Sequence, residues 1–320
     1  MEESTTTLRK ADNYVLIEGI LSEKKLREKE IKRGDGTDNA ILGTLTIETA
    51  PNSVHTVRVF TYEHKKDGSE NKNFSSWKTV LNQYKAIVEI NEDEEDIGVG
   101  RESADKVRIK GGQLGINDYV GQDGALRSFP EVTTNFINRV KESEKFKPRA
   151  EFDVEGVIQS IKPEVRGEDE EETGRLILKV VVPLYGGRVA PLQMVVAADD
   201  ADTFQGMFEE GQTVDLDGDI INYSEIKTTT KERAFGKAKD NVTTIVKREL
   251  LVAGGSEPYD PDDEKAFNIK AIKQALVERK NYLEELKEKK KNQSSSGNGF
   301  TSKHKEDQGA VDISDDDLPF

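Results

Sequence analysis

NFSSWKTVLNQYKAIVEI, residues 73–90, repeats apolar side chains at helical spacing: Phe74, Trp77, Leu81, Tyr84 and Val88. That periodicity predicts an amphipathic helix with one face turned to a core. Core packing is the favoured role for Trp77, ahead of base stacking, because it lies on the apolar stripe. The position of this helix decides the architecture. Ahead of it, YVLIEGILSEKK (14–25), AILGTLTIET (40–49) and VHTVRVFTY (54–62) read as strands rich in β-branched residues. Behind it, KVRIKGGQLGIND (106–118) and EVTTNFINRVK (131–141) supply two more.

Three strands, a helix and two strands is the order of a five-stranded OB barrel. Gly111 and Gly112 inside the fourth strand fit a bulge where a small barrel turns its corner. The pattern then recurs. LIEGILS (16–22) parallels DVEGVIQS (153–160), VRIKGGQLGINDY (107–119) parallels VDLDGDIINYS (214–224), and TTNFINRV (133–140) parallels TTIVKREL (243–250). A shorter helix is expected near DDADTFQGMF. The expected fold is mainly β: two tandem OB-fold-like barrels over 1–148 and 149–256, a C-terminal helix, and a disordered acidic tail.

Residues 261–291 read as one helix within a 257–292 segment. Asp260 suits the cap, Pro261 the first position, and Asp262, Asp263 and Glu264 the positive dipole end. Its stripe of Ile269, Ile272, Leu276, Leu283 and Leu286 is broken by Arg279. Such a stripe serves either docking onto the second barrel or self-association as a short coiled coil. Residues 293–311 are polar and glycine-rich, a flexible linker by composition.

Of the 320 residues, 47 are Lys or Arg and 62 are Asp or Glu, a formal charge of −15. At face value that disfavours a nucleic-acid ligand. The distribution qualifies it, because residues 1–148 hold 23 basic and 26 acidic residues while 149–256 hold 13 and 21. There is no cysteine, and His55, His64 and His304 are too scattered to suggest a zinc site. The opening MEESTTTLRKADN lacks an apolar signal core, and no apolar run reaches membrane-spanning length. A soluble cytoplasmic protein of a bacterial or phage-infected cell is expected. No phosphate loop, nucleophile elbow or metal cluster occurs, so no enzyme activity and no cofactor are expected; the carboxylates of 91–98 read as an exposed acidic loop.

Period-2 alternation in the third strand sets Val57 and Val59 toward the core and Thr56, Arg58, Phe60 and Tyr62 on the opposite face. A cation with two aromatics is the chemistry of base stacking and phosphate neutralisation. The alternative for Phe60 and Tyr62 is a barrel-closing aromatic pair. The connection between strands 1 and 2 adds Lys24, Lys25, Arg27, Lys29, Lys32 and Arg33; that between 4 and 5 adds Tyr119 and Arg127; that between 3 and 4 adds Lys65, Lys66, Lys72 and Lys78. The second copy is poorer. Its strands RLILKVVVPL (175–184) and GRVAPLQMVVAA (187–198) carry no aromatic except Tyr185 at the turn between them, and its RGEDEEETG connection repels phosphate, although Lys227, Lys231, Arg233, Lys237 and Lys239 follow later. It reads as an auxiliary DNA contact or a protein-interaction barrel.

The chain closes on DISDDDLPF, residues 312–320. Phe320 and its carboxylate suit capture in a partner's pocket, with Pro319 stiffening the approach beside Leu318 and Asp315, Asp316 and Asp317 steering toward a basic surface. This ending resembles the C-terminal tip of bacterial single-stranded DNA-binding proteins. The resemblance implies an OB domain that coats single-stranded DNA and a tip that recruits replication, recombination and repair enzymes. Two barrels and a helix in one chain depart from the family's usual single OB domain. A divergent relative, such as a phage-encoded protein using the host's tip code, fits that departure. The alternative is an adaptor that mimics the tip to capture host replication proteins and scarcely binds DNA.

Overall fold

The computed structural model describes residues 8–93, 100–167, 171–231, 235 and 239–295. Alternating apolar positions lay down β1 (Asn13–Arg33), β2 (Gly36–Ala50) and β3 (Ser53–Tyr62). Among the described residues the helices α1 (Lys72–Gln83), α2 (Ile87–Asp93) and α3 (Gly100–Ser103) follow, then β4 (Lys106–Val120), β5 (Leu126–Thr133) and the short β6 (Asn138–Arg139). β1 pairs antiparallel with β2 and β4, β2 with β3, and β4 with β5, while β3 and β5 meet in parallel. The order β1-β2-β3-β5-β4 therefore closes on itself as an OB barrel.

The second half repeats this circuit with β7 (Arg149–Arg166), β8 (Glu171–Pro183), β9 (Val189–Val196), α4 (Ala198–Met207), β10 (Thr213–Lys231) and β11 (Lys239–Gly255). Its parallel contact joins β9 to β11, and β10 closes on β7. The expected two-barrel, mainly β architecture is the observed one; the acidic tail lies outside the described residues. Ile17, Leu45, Ile47 and Ile109 fill the first barrel, and Ile158, Leu178, Leu192 and Met194 the second, each essentially inaccessible. Each contributes about 1.5–3 kcal/mol by leaving water. The two barrels are not separate beads, because β1 also pairs antiparallel with β7, from Asn13 opposite Val154 to Glu18 opposite Arg149.

Two of the three repeat matches are structurally equivalent. Gly19 faces Val107 at the start of β4 just as Gly156 faces Val214 near the start of β10. The neighbouring Glu18 and Glu155 are both buried, and each is held by an arginine and a backbone amide: Arg108 and Lys147 for Glu18, Arg9 and Asp12 for Glu155. The third match is out of register. TTIVKREL lies inside β11, whereas TTNFINRV begins on the last residue of β5. The fifth strand starts earlier, at Leu126, than its apolar residues suggested. The glycine expectation holds: β1 pairing skips from Gly112 to Lys110, leaving Gly111 as a bulge at φ 80°.

The predicted 73–90 helix breaks in two at Tyr84, whose backbone is extended. Lys24 reaches across from β1 and donates its ammonium to the carbonyls of Leu81 and Tyr84 at 2.7 and 2.8 Å, ending α1 there. The buried stripe of α1 is Phe74, Trp77 and Val80; Trp77 is a core residue, its indole donating to the Asn135 carbonyl at 2.8 Å. The C-terminal helix α5 (Ile269–Ser295) begins eight residues later than predicted. Asn268 caps it, accepting from the Lys270 and Ala271 amides. Asp260 instead accepts from Asp262 in a preceding turn. Phe267 explains the delay, since it is buried and its amide donates to Thr213 on β10, which holds this stretch out of the helix. α5 packs on β4 and β9, thus on both barrels rather than the second alone. No helix among the described residues is long and apolar enough to cross a membrane.

Candidate nucleic-acid interface

The cationic segment after residue 23 is not a loop. β1 and β2 stay paired from Lys24 opposite Leu45 to Arg33 opposite Gly36, so the segment is a β-hairpin arm with a two-residue turn. A strand sends successive side chains to opposite faces, and this sorts the cations. Lys25, Arg27, Lys29 and Arg33 share one face; Lys24 and Lys32 take the other. Across the ladder Lys29 stands opposite Ala40 and Ala40 opposite Tyr62, Arg27 opposite Leu42 and Leu42 opposite Phe60, and Thr44 opposite both Lys25 and Arg58. Lys25, Arg27, Lys29, Arg58 and Phe60 therefore form one outer surface over β1, β2 and β3. Lys25, Arg27 and Lys29 are exposed, with Glu23 2.8 Å from Lys25.

Several predicted contacts are engaged elsewhere. The Lys24 ammonium is buried as the α1 cap and also pairs with Glu89 at 3.2 Å. Lys78 pairs with Glu28, and Lys72 is exposed on α1. Arg33 pairs with Asp38 at 2.8 Å and lies 4.3 Å over the Tyr62 ring. Tyr62 is only 3% exposed, so it supports Phe60, edge-on at 4.9 Å between ring centres, rather than offering a free stacking face. Lys65 and Lys66 are exposed in the turn beside the hairpin tip. There Asp38, Glu63 and His64 bring ligand atoms within 4.8 Å of one another. Arg33 and His64 already engage Asp38, and Asn39 donates to Glu63, an ion-pair network that stiffens the tip. The hydrogen bond to Asp38 raises the His64 pKa.

The surface continues onto the β4–β5 arm. Tyr119 and Arg127 stand directly opposite each other there, in strands rather than in a loop. Tyr119 stacks on Phe129, centroids 6.2 Å apart and planes at 28°, with the rings 42% and 50% exposed. Arg127 shares its charge with Asp123 at 2.6 Å. Phe129 lies outside the strand that the apolar residues predict, which begins at Glu131; alternation through LRSFPEVT sets Arg127, Phe129 and Glu131 on one face and Val132 in the core. Arg58 pairs with Glu131 at 3.4 Å, and burial pushes the Glu131 carboxyl up against that pull. Phe60, Arg58 and Glu131 border a cleft of about 140 Å³ that also touches Tyr185 and Arg188 of the second barrel.

In that second barrel Lys227 pairs with Glu225 at 3.5 Å. Arg233, Lys237 and the side chains of Lys231 and Lys239 lie outside the described residues, as do residues 168–170 of the acidic connection and the whole 312–320 tip with Asp315, Asp316, Asp317, Leu318, Pro319 and Phe320.

A family model described as YorF matches residues 11–289. No curated protein matches the chain. Among solved structures it is similar to the wild-type single-stranded DNA binding protein from Thermus aquaticus, with 11% identity and a TM-score of 0.43 over 80% of this chain and 97% of that one. A deletion mutant of the same Thermus aquaticus protein gives 12% and 0.40 over 80% and 98%. A Replication Protein A heterotrimer bound to ssDNA gives 10% and 0.20 over 79% and 67%.

Proposed function

This chain belongs to the YorF family, and we propose that it binds single-stranded DNA without catalysis, through the outer surface of its first barrel. The observation that carries this reading is the single face on which Lys25, Arg27, Lys29, Arg58 and Phe60 converge, extended by the exposed Tyr119–Phe129 stack. Cations spaced along a groove neutralise phosphates, and exposed rings stack on any base, so binding is salt-sensitive and tolerant of sequence. The formal charge of −15 does not oppose it, because most of the excess acid lies outside the first 148 residues.

The Asp315–Phe320 segment extends the reading to replication, recombination and repair inside the cell. Three carboxylates steer it to a basic pocket, and Leu318, Pro319 and Phe320 fill that pocket. Residues 1–148 would then be the strand-binding unit and 293–311 the tether that presents the recruiting tip. Fluorescence polarisation with labelled oligo-dT, oligo-U and duplex DNA at two salt concentrations tests the central claim. Tight, salt-sensitive binding to oligo-dT with weak duplex binding is expected; a preference for duplex would overturn it.

A further inference from the structure

The cleft beside Phe60 is not built by the first barrel alone. Its floor and one wall are Arg58 and Phe60 of β3, Gly115 of β4 and Glu131 of β5; its other wall is Tyr185 and Arg188, from the β8–β9 turn of the second barrel. That turn is a single 3-10 turn over Tyr185–Gly187, with Gly186 at φ 74°, where a side chain would be strained. Leu184 anchors it against the core and donates its amide to the Arg188 carbonyl at 2.7 Å. Pro183 accepts from the Ala11 amide at 3.0 Å, which ties the turn to the segment entering β1. Tyr185 is therefore 53% exposed yet mounted on a fixed support facing the first barrel's surface.

We infer that the second barrel supplies a stacking station on the same strand path: single-stranded DNA leaving Phe60 passes through this cleft, with a base on Tyr185 and a phosphate at Arg188. The inference rests on the single-strand reading above. Three features select this occupant. Each wall offers one aromatic ring and one guanidinium, the pairing that a base and its phosphate require. Gly115 leaves the floor without a side chain, so a flat base reaches the sheet. The cleft also continues the cationic surface of Lys25, Arg27 and Lys29, whereas the rest of the second barrel carries excess acid.

The test uses the full chain and a labelled oligo-dT of about 25 nucleotides, long enough to cover more than one barrel. Tyr185→Ala removes the ring at an exposed position. Tyr185→Phe keeps it. Gly115→Val fills the floor, and a Cβ at this position meets only Glu131 Cγ, at 3.9 Å, an ordinary contact. Y185A and G115V are expected to lose affinity by roughly tenfold each, with Y185F close to wild type. Equal affinity of all four proteins would overturn the inference while leaving the single-strand reading standing. So would unchanged DNA affinity with a change of oligomeric state in sedimentation, which would assign the cleft to a second copy. Failure of the wild type itself to bind would remove the reading on which the inference rests.

Discussion

Arg279 of the C-terminal helix grips Asp118 of β4 with its two terminal guanidinium nitrogens, Nη1 and Nη2, each 2.7 Å from a different carboxylate oxygen. Both side chains are largely buried, and Ser128 on β5 donates to the same carboxylate at 2.6 Å. Asp118 lies on the face of the β4–β5 arm opposite Tyr119. The helix therefore braces from behind the arm whose front carries the exposed aromatic stack. Arg279 interrupts the apolar stripe of α5 because its partner is an acid on the first barrel.

Arg279→Ala should cost about 1.5–3 kcal/mol, the usual loss for a charge-assisted hydrogen-bonded pair. It should also speed hydrogen exchange across residues 116–128 and weaken oligo-dT binding several-fold without touching the binding face. Asp118→Ala should behave alike, and the double variant should be far from additive. Unaltered exchange in the arm would mean that α5 does not brace it.

Alternation along β1 separates cations that look equivalent in sequence. Arg27→Ala should lower the salt dependence of DNA binding by about one ion and leave thermal stability nearly unchanged. Lys24→Ala should do the reverse, because it uncaps α1 and leaves the outer face intact. Phe60→Ala should cost about 1–3 kcal/mol of binding. Tyr62→Ala should mainly lower the melting temperature, since its buried ring supports Phe60 and Arg33. Point variants are the cleaner probe here, because cutting at residue 148 would strip β7 from β1.

Two titrating groups oppose each other. Burial, and then the charge of Asp153, push the Asp215 carboxyl up to about 6 from an ordinary 3.8. Between those values the folded chain holds more protons than the unfolded one, so this group makes stability fall as pH rises. Burial pushes the His55 imidazole down to about 4 from 6.5, so between those values the unfolded chain holds more protons and stability rises with pH. Asp215→Asn should therefore steepen the rise of stability with pH between about 4 and 6, and His55→Gln should tilt the profile the other way. Denaturant melts at several pH values read both slopes; parallel profiles for the two variants would contradict the assignment.

Deleting Leu318–Phe320 should abolish capture of tip-reading partners from a bacterial lysate. DNA affinity should stay equal or rise slightly, any rise vanishing at high salt, because an acidic tail competes for the cationic face only where it is weakly screened. An unchanged set of captured proteins would reduce the tail to a solubility device.

Local periodicity was enough to read much of this molecule. Period-2 runs gave four strands of the first barrel, the helix between its third and fourth strands set the OB order, and the shared acidic-glycine pair at Glu18-Gly19 and Glu155-Gly156 marked the second copy. Alternation in VHTVRVFTY placed Arg58 and Phe60 on the outer face, because side-chain direction in a strand stretch without a bulge follows residue parity. Tertiary structure decided what each charged or aromatic side chain then meets. Lys24 and Lys25 are neighbours in sequence, yet one caps a helix some 60 residues away and the other faces solvent. Tyr62 fits a stacking face by parity but lies under Arg33. The start of α5, the partner of Arg279 and the joint cleft of Phe60 and Tyr185 all depend on how two closed barrels share β1 and β7. Parity and helical period are properties of a few consecutive residues, whereas caps, ion pairs and clefts form only after distant strands have closed and brought their surfaces together.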